Sequence, residues 1–204
     1  VSGGLDKDEY QTLIDVARQK SSESREKLTK IISDLFHERG ESLSAPERAL
    51  ITDILHKLVR DVELPVRQML AEKLARTSHA PRDLICYLAN EQIEVAHPLL
   101  SHSSILLDED LIEIIRHRTM QHQLSIALRQ GISEDVSDAL ITAGHTDVVI
   151  ALLENRSAKI HPTNMQTLID QAKEYDPYQE PILKREDLEP ALAKKLYWWV
   201  SAAL

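Results

Sequence analysis

One phrase recurs along this chain: a short apolar segment, a polar turn, then a second apolar segment. It is written as "KLARTSHAPRDLICYL", "PLLSHSSILLDEDLIEII", "ALRQGISEDVSDAL", "ALLENRSAKIHPTNMQTLI" and "PILKREDLEPALAKKL". Aligning these places Leu74, Leu100, Leu128, Leu153 and Leu183 at one position, at intervals of 26, 28, 25 and 30 residues. A helix pair this short cannot bury its apolar side alone, whereas stacked neighbours can, so the period predicts an array with a continuous core. The second segments carry Leu84/Ile85/Leu88, Leu111/Ile112/Ile115, Val136/Ala139/Leu140, Met165/Leu168/Ile169 and Leu188/Leu192/Leu196, all at helical spacing. Pro81, Asp108, Ser133, the Pro162–Asn164 segment and Asp187 mark their starts as caps or first-turn residues. Alternation of period two is absent, and only 5 glycines punctuate 204 residues, so strands and tight β-turns are not expected.

Ahead of the repeat, three longer helices are predicted. Tyr10, Leu13, Ile14 and Ala17 share a face in the first; Leu28, Ile31, Ile32 and Leu35 share one in the second, which Gly40 ends as a left-handed cap. The third opens on "SAPE", a capping box of Ser44 and Glu47, and continues with Leu50, Ile51, Ile54, Leu55, Leu58 and Val62. The expected organisation is a helical cap over residues 1–62 and a repeat array over 63–204, forming one continuous domain.

The segments "LSAPERALITDILHKLVRDVELPVRQMLAEKLA", "APRDLICYLANEQIEVAHPLL", "LLDEDLIEII", "GISEDVSDALI" and "WWVSAAL" together resemble the alphaproteobacterial domain-of-unknown-function family numbered 2336. The resemblance runs from about Ser44 to Leu204 and extends to the first two helices. It implies a HEAT-like fold and brings no catalytic motif with it. The predicted fold is thus an all-α, HEAT-like α-solenoid of short helix pairs with an N-terminal helical cap.

Composition narrows the function. The net charge of −9 disfavours a nucleic-acid binder that works by overall charge. Cys86, the one cysteine, lies among Leu84, Ile85 and Leu88 and reads as a small core residue. No apolar run reaches the length of a membrane span and no signal-peptide core is present, so a cytoplasmic location is expected. Val1–Gly4 reads as a remnant of expression.

No catalytic or metal site is expected, and no cofactor. His97 with His102, and His117 with His122, are five residues apart, about 140° around a helix, which does not make a clamp. Asp108, Glu109 and Asp110, and the "SED" at Ser133–Asp135, fall where helices begin, and carboxylates are stabilised there by the helix dipole. Phosphate-loop and nucleophile-elbow motifs are absent.

The candidate binding residues are Arg76, His102, Arg129, Arg156 and Arg185, with Lys184 beside the last, which follow the aligned leucines. Stacked units would bring them to one edge as a ladder for an acidic or phosphorylated peptide. The same cations would also be favoured at helix C-termini by the dipole alone. Trp198 completes the set: in "LYWWVSAAL", Leu192, Leu196, Trp199, Val200 and Ala203 share a stripe, with Tyr197 and Trp198 to either side of it. No Gly, Asn or Pro stops this helix, so further chain is expected beyond Leu204, and self-association through the helix is a second expectation. The function read from the sequence is a non-enzymatic protein- or peptide-binding scaffold in bacterial signalling; the alternative is a nucleic-acid-binding HEAT-like module.

Overall fold

A computed structural model describes residues 21–39 and 44–202. The helix read around Tyr10–Ala17 and the cap read at Gly40 lie outside the described residues. Within them are twelve α-helices, one 3-10 turn and no strand, so the chain is all-helical over its described length. It forms two compact units, residues 1–106 and 107–204, and the boundary read at 62/63 lies inside the first.

The first unit holds α1 (Ser22–Arg39), α2 (Ala45–Val59), α3 (Leu64–Leu74), α4 (Arg82–Ala89) and α5 (Ile93–His102). α2 begins at the expected box: the Ser44 backbone N–H donates to Glu47 Oε2 at 2.9 Å, and the Ser44 hydroxyl donates to the same oxygen at 2.6 Å. Pro46 in its first turn loses no bond, because the first N–H groups of a helix have no intrahelical partner. Leu28 and Ile32 of α1 and Ile51, Leu55 and Val59 of α2 are buried. α3 packs on α1, α4 and α5, and brings Leu70, Ala71 and Leu74 into the same core. Each such leucine, taken fully out of water, contributes roughly 2 kcal/mol before the entropy of ordering is subtracted. Lys73 on α3 pairs with Asp34 on α1, and the Arg60 guanidinium lies 5.7 Å from the centre of the Tyr87 ring. Cys86 is half-buried on α4.

The second unit holds α6 (Asp108–His117), α7 (Met120–Ala127), α8 (Glu134–Ala143), α9 (Thr146–Glu154), α10 (Pro162–Ala172), a 3-10 turn (Asp176–Tyr178), α11 (Gln179–Leu183) and α12 (Pro190–Ala202). α7 packs on α9, α9 on α11, α6 on α8, and α10 on α12. Helix starts follow the sequence signals at four of five positions. Pro81 is the N-cap of α4, Asp108 and Pro162 open α6 and α10, and the Ser133 hydroxyl accepts from the Val136 N–H at 3.3 Å at the head of α8. The fifth differs, because α12 begins at Pro190 and Asp187 lies three residues ahead of it. α8 ends on Gly144, whose φ of +73° is the left-handed conformation that closes a helix without a Cβ penalty.

The repeat register also differs from the alignment of leucines. Leu74, Leu100 and Leu153 are buried, but Leu128 is 59 % exposed and Leu183 40 % exposed. Ala127 and Ile182, one residue earlier, are each 0 % exposed. The buried series is therefore Leu74, Leu100, Ala127, Leu153 and Ile182, at intervals of 26, 27, 26 and 29 residues. An alignment by side-chain size selects leucine; packing selects the position facing the neighbouring helix, and at one of these only an alanine stands there.

Candidate functional site

The cations that the sequence groups together occupy different environments. In the first unit, Arg76 is exposed two residues past the end of α3, and His102 is the exposed last residue of α5. In the second, Arg129 follows the C-cap of α7 and is half-buried. Burial pushes its guanidinium pKa down, an effect the nearby Asp108 carboxylate opposes. Arg156 is exposed, with Nη1 3.8 Å from Glu186 Oε1.

Arg185 is inside the protein, with a side chain 1 % exposed. Its Nη1 donates to the Leu153 carbonyl at 3.3 Å and the Asn155 carbonyl at 3.1 Å, and Nη2 donates to the Ala158 carbonyl at 2.7 Å. Asp187 supplies the counter-charge. These carbonyls belong to the end of α9 and the turn after it, where backbone acceptors have no intrahelical donor. Asn155 serves the end of α7 in the same manner: its Nδ2 donates to the Ala127 carbonyl at 2.8 Å and the Arg129 carbonyl at 2.7 Å. Its Oδ1 accepts from the Ser157 N–H at 3.1 Å and hydroxyl at 2.7 Å. Arg185 is thus committed to helix ends, as the dipole argument allows, and has no donor to offer an outside ligand at this edge.

Beside it, a depression of about 240 Å³ is lined by Glu154, Arg156, Glu180 and Lys184. Lys184 Nζ lies 2.6 Å from Glu180 Oε1, and this hydrogen bond holds the Glu180 carboxyl below its ordinary pKa. Arg185 also lines it, and each of its three cations lies against a carboxylate (Arg156 with Glu186, Lys184 with Glu180, Arg185 with Asp187), so the depression does not form a continuous basic stripe.

A larger cleft, of about 590 Å³, lies between α6 and α8. Ile112 and Ile115 from α6 and Ala139 and Ala143 from α8 supply its apolar wall. Arg116 and Arg118 come from the end of α6, Asp135 and Asp138 from the first half of α8, and His145 from the N-cap of α9. Gln123 of α7 also lines it and is 4 % exposed. Gln123 Nε2 donates to the Ile115 carbonyl at 2.8 Å, while its Oε1 is buried and accepts no hydrogen bond. Asp138 accepts from Asn164 Nδ2 at 2.9 Å. Nothing in the sequence pattern marked Gln123 or Asn155: Gln123 is a polar residue inside α7 and Asn155 is the C-cap of α9, and the role of each arises from a neighbouring helix end.

On α12, Leu196 is buried whereas Tyr197 and Trp198 are 69 % and 74 % exposed. Lys195 Nζ ties α12 to α10 through Asp170 Oδ1 at 2.5 Å. Among the described residues, all seven exposed large hydrophobic side chains (Leu107, Met120, Leu128, Tyr175, Leu183, Tyr197 and Trp198) belong to residues 107–204. No group of three or more His, Cys, Asp or Glu side chains among the described residues is placed to hold a metal ion. No helix among them is long and apolar enough to cross a membrane.

These features define an all-helical protein whose second unit presents a polar cleft and an exposed aromatic pair. The family model described as "Uncharacterised protein conserved in bacteria (DUF2336)" matches residues 95–204, more than half of the chain, and the chain belongs to that family. The part of the resemblance read ahead of residue 95 lies outside this match. Neither the curated proteins nor the solved structures contain a match to the chain.

Proposed function

We propose that this chain is a non-enzymatic scaffold or adaptor, built of HEAT-like stacked helix pairs, that binds a protein partner in the bacterial cytoplasm. The exposed pair Tyr197–Trp198 on α12 carries this reading. Large aromatics anchor interfaces because they remove much apolar area from water while losing little rotamer freedom, and one such anchor is worth on the order of 2 kcal/mol or more. The successive packing of α7, α9 and α11 supports the HEAT-like description. The charge balance around Arg156 and Lys184, together with the net charge of −9, weighs against nucleic acid as the partner.

The test is photocrosslinking in the bacterial host, with benzoylphenylalanine placed at Trp198 and, as a control, at exposed Gln130. A discrete protein adduct at position 198 and none at 130 is the expected outcome. Equal adducts at both positions, or none at either, would remove the aromatic pair as an anchor. Salt-labile retention of duplex DNA by the purified chain would favour the nucleic-acid module instead.

A further inference from the structure

Resting on the reading of Tyr197 and Trp198 as a protein anchor, we propose that the partner they reach is a second copy of this chain, engaged head to tail. Lys194, Tyr197 and Trp198 of one copy dock on Glu154 and Leu183 of the next. Tyr197 and Trp198 stand three and four residues beyond Lys194, so the three share one face of α12. All three are exposed, whereas the adjacent Lys195 is turned onto Asp170. This face therefore presents a cation flanked by two aromatic rings.

The same unit carries the complement. Asn155 binds the carbonyl end of α7 and Arg185 that of α9, which sets the ends of α7, α9 and α11 side by side. Glu154 and Leu183 directly follow the buried Leu153 and Ile182 at the ends of α9 and α11, and both are exposed. Arg156 and Lys184 beside them face Glu186 and Glu180, so Glu154 is the carboxylate left to meet an incoming cation. The depression at this edge, with Glu154 on one wall and Pro181 on the other, gives an aromatic ring a seat. Packed helices lie about 8–10 Å apart, which sets the step from Glu154 to Leu183. Lys194 and Trp198 are about 6 Å apart along α12, and their long side chains, diverging from the helix, cover the rest. Pairing α12 with α12 across a two-fold axis would instead bring Lys194 toward its own counterpart, a like-charge contact. Because the two docking faces differ, each added copy presents the same pair again, and association continues with concentration.

The test is sedimentation velocity of the full chain over a concentration series at about 0.15 M salt, where longer-range repulsion from the net charge of −9 is screened. The mean mass of the wild type should rise with concentration. Lys194→Glu and Glu154→Lys should each weaken association about tenfold or more, since each sets like charges face to face. Both positions are exposed, so thermal midpoints should stay at the wild-type value. An equimolar mixture of the two variants should associate again, as should a chain carrying both substitutions, because opposite charges then meet once more. A wild type that stays monomeric to about 1 mM, a Glu154→Lys chain that associates as the wild type does, or a mixture that stays apart would overturn the contact. Benzoylphenylalanine at position 198 separates this failure from that of the anchor. An adduct of twice the chain's mass supports the head-to-tail contact, whereas an adduct with a different protein overturns it and leaves the anchor standing.

Discussion

Arg185 grips Asp187 through both carboxylate oxygens, Nε to Oδ1 at 2.8 Å and Nη2 to Oδ2 at 2.7 Å. This fork leaves Nη1 and the second proton of Nη2 for three backbone carbonyls around the end of α9. A planar guanidinium can make all these bonds at once; an ammonium cannot. Arg185→Ala should therefore destabilise the chain by about 3 kcal/mol, because it strands buried acceptors. Arg185→Lys should recover only part of the loss. Urea midpoints of the two variants check this, and an Arg185→Ala midpoint equal to that of the wild type would show that the network contributes nothing.

Asn155→Ala removes the donor to the Ala127 and Arg129 carbonyls. Hydrogen exchange at the amides of Leu128, the C-cap of α7, and of Arg129 just past it should speed up by roughly 10- to 30-fold. Asn155→Asp should be worse, since it turns a carboxylate toward carbonyls. Unchanged exchange at these two amides in both variants would mean that α7 closes without Asn155.

The pH dependence of the α12 attachment follows from Asp170. Its carboxyl is held below the ordinary value of 3.8, first by the Lys195 hydrogen bond and then by that of Gln166. A depressed folded-state pKa contributes stability above the unfolded value, and that contribution is lost as pH falls through the folded value. Carboxyl-carbon titration should place the Asp170 midpoint below 3.8 in the wild type and higher in Lys195→Met. Identical midpoints would show that Lys195 does not hold this group. The group is exposed at the surface, so the effect belongs to local attachment of α12 and not to global unfolding.

How far the fold could be read beforehand depended on whether a residue's role is local. Helix identity is local: Ser44 with Glu47, Ser133 and the apolar stripes all announce it within a few residues. Register is less so. Ala127 and Ile182 take the buried positions because a neighbouring helix faces them, while Leu128 and Leu183 next to them carry the stronger hydrophobic signal. The cations were visible as a series, but the burial of Arg185 depends on an α9 end about 30 residues earlier in the chain, which spacing does not reveal. Gln123 is the extreme case: its side-chain amide donates to a carbonyl of another helix, and its orphaned oxygen is visible only once α6 and α7 are placed together.

The distant closure of helix ends has a consequence for the order in which residues 107–204 can mature. The side chain that finishes α7 lies 28 residues beyond Ala127, and the one that finishes α9 lies 32 residues beyond Leu153. During synthesis at about 5–20 residues per second, each of these helices leaves the ribosome seconds before its own terminus can be sealed. The segments that bring Asn155 and Arg185 therefore complete α7 and α9 after those helices have already emerged, so these two ends are secured from behind, like overlapping tiles.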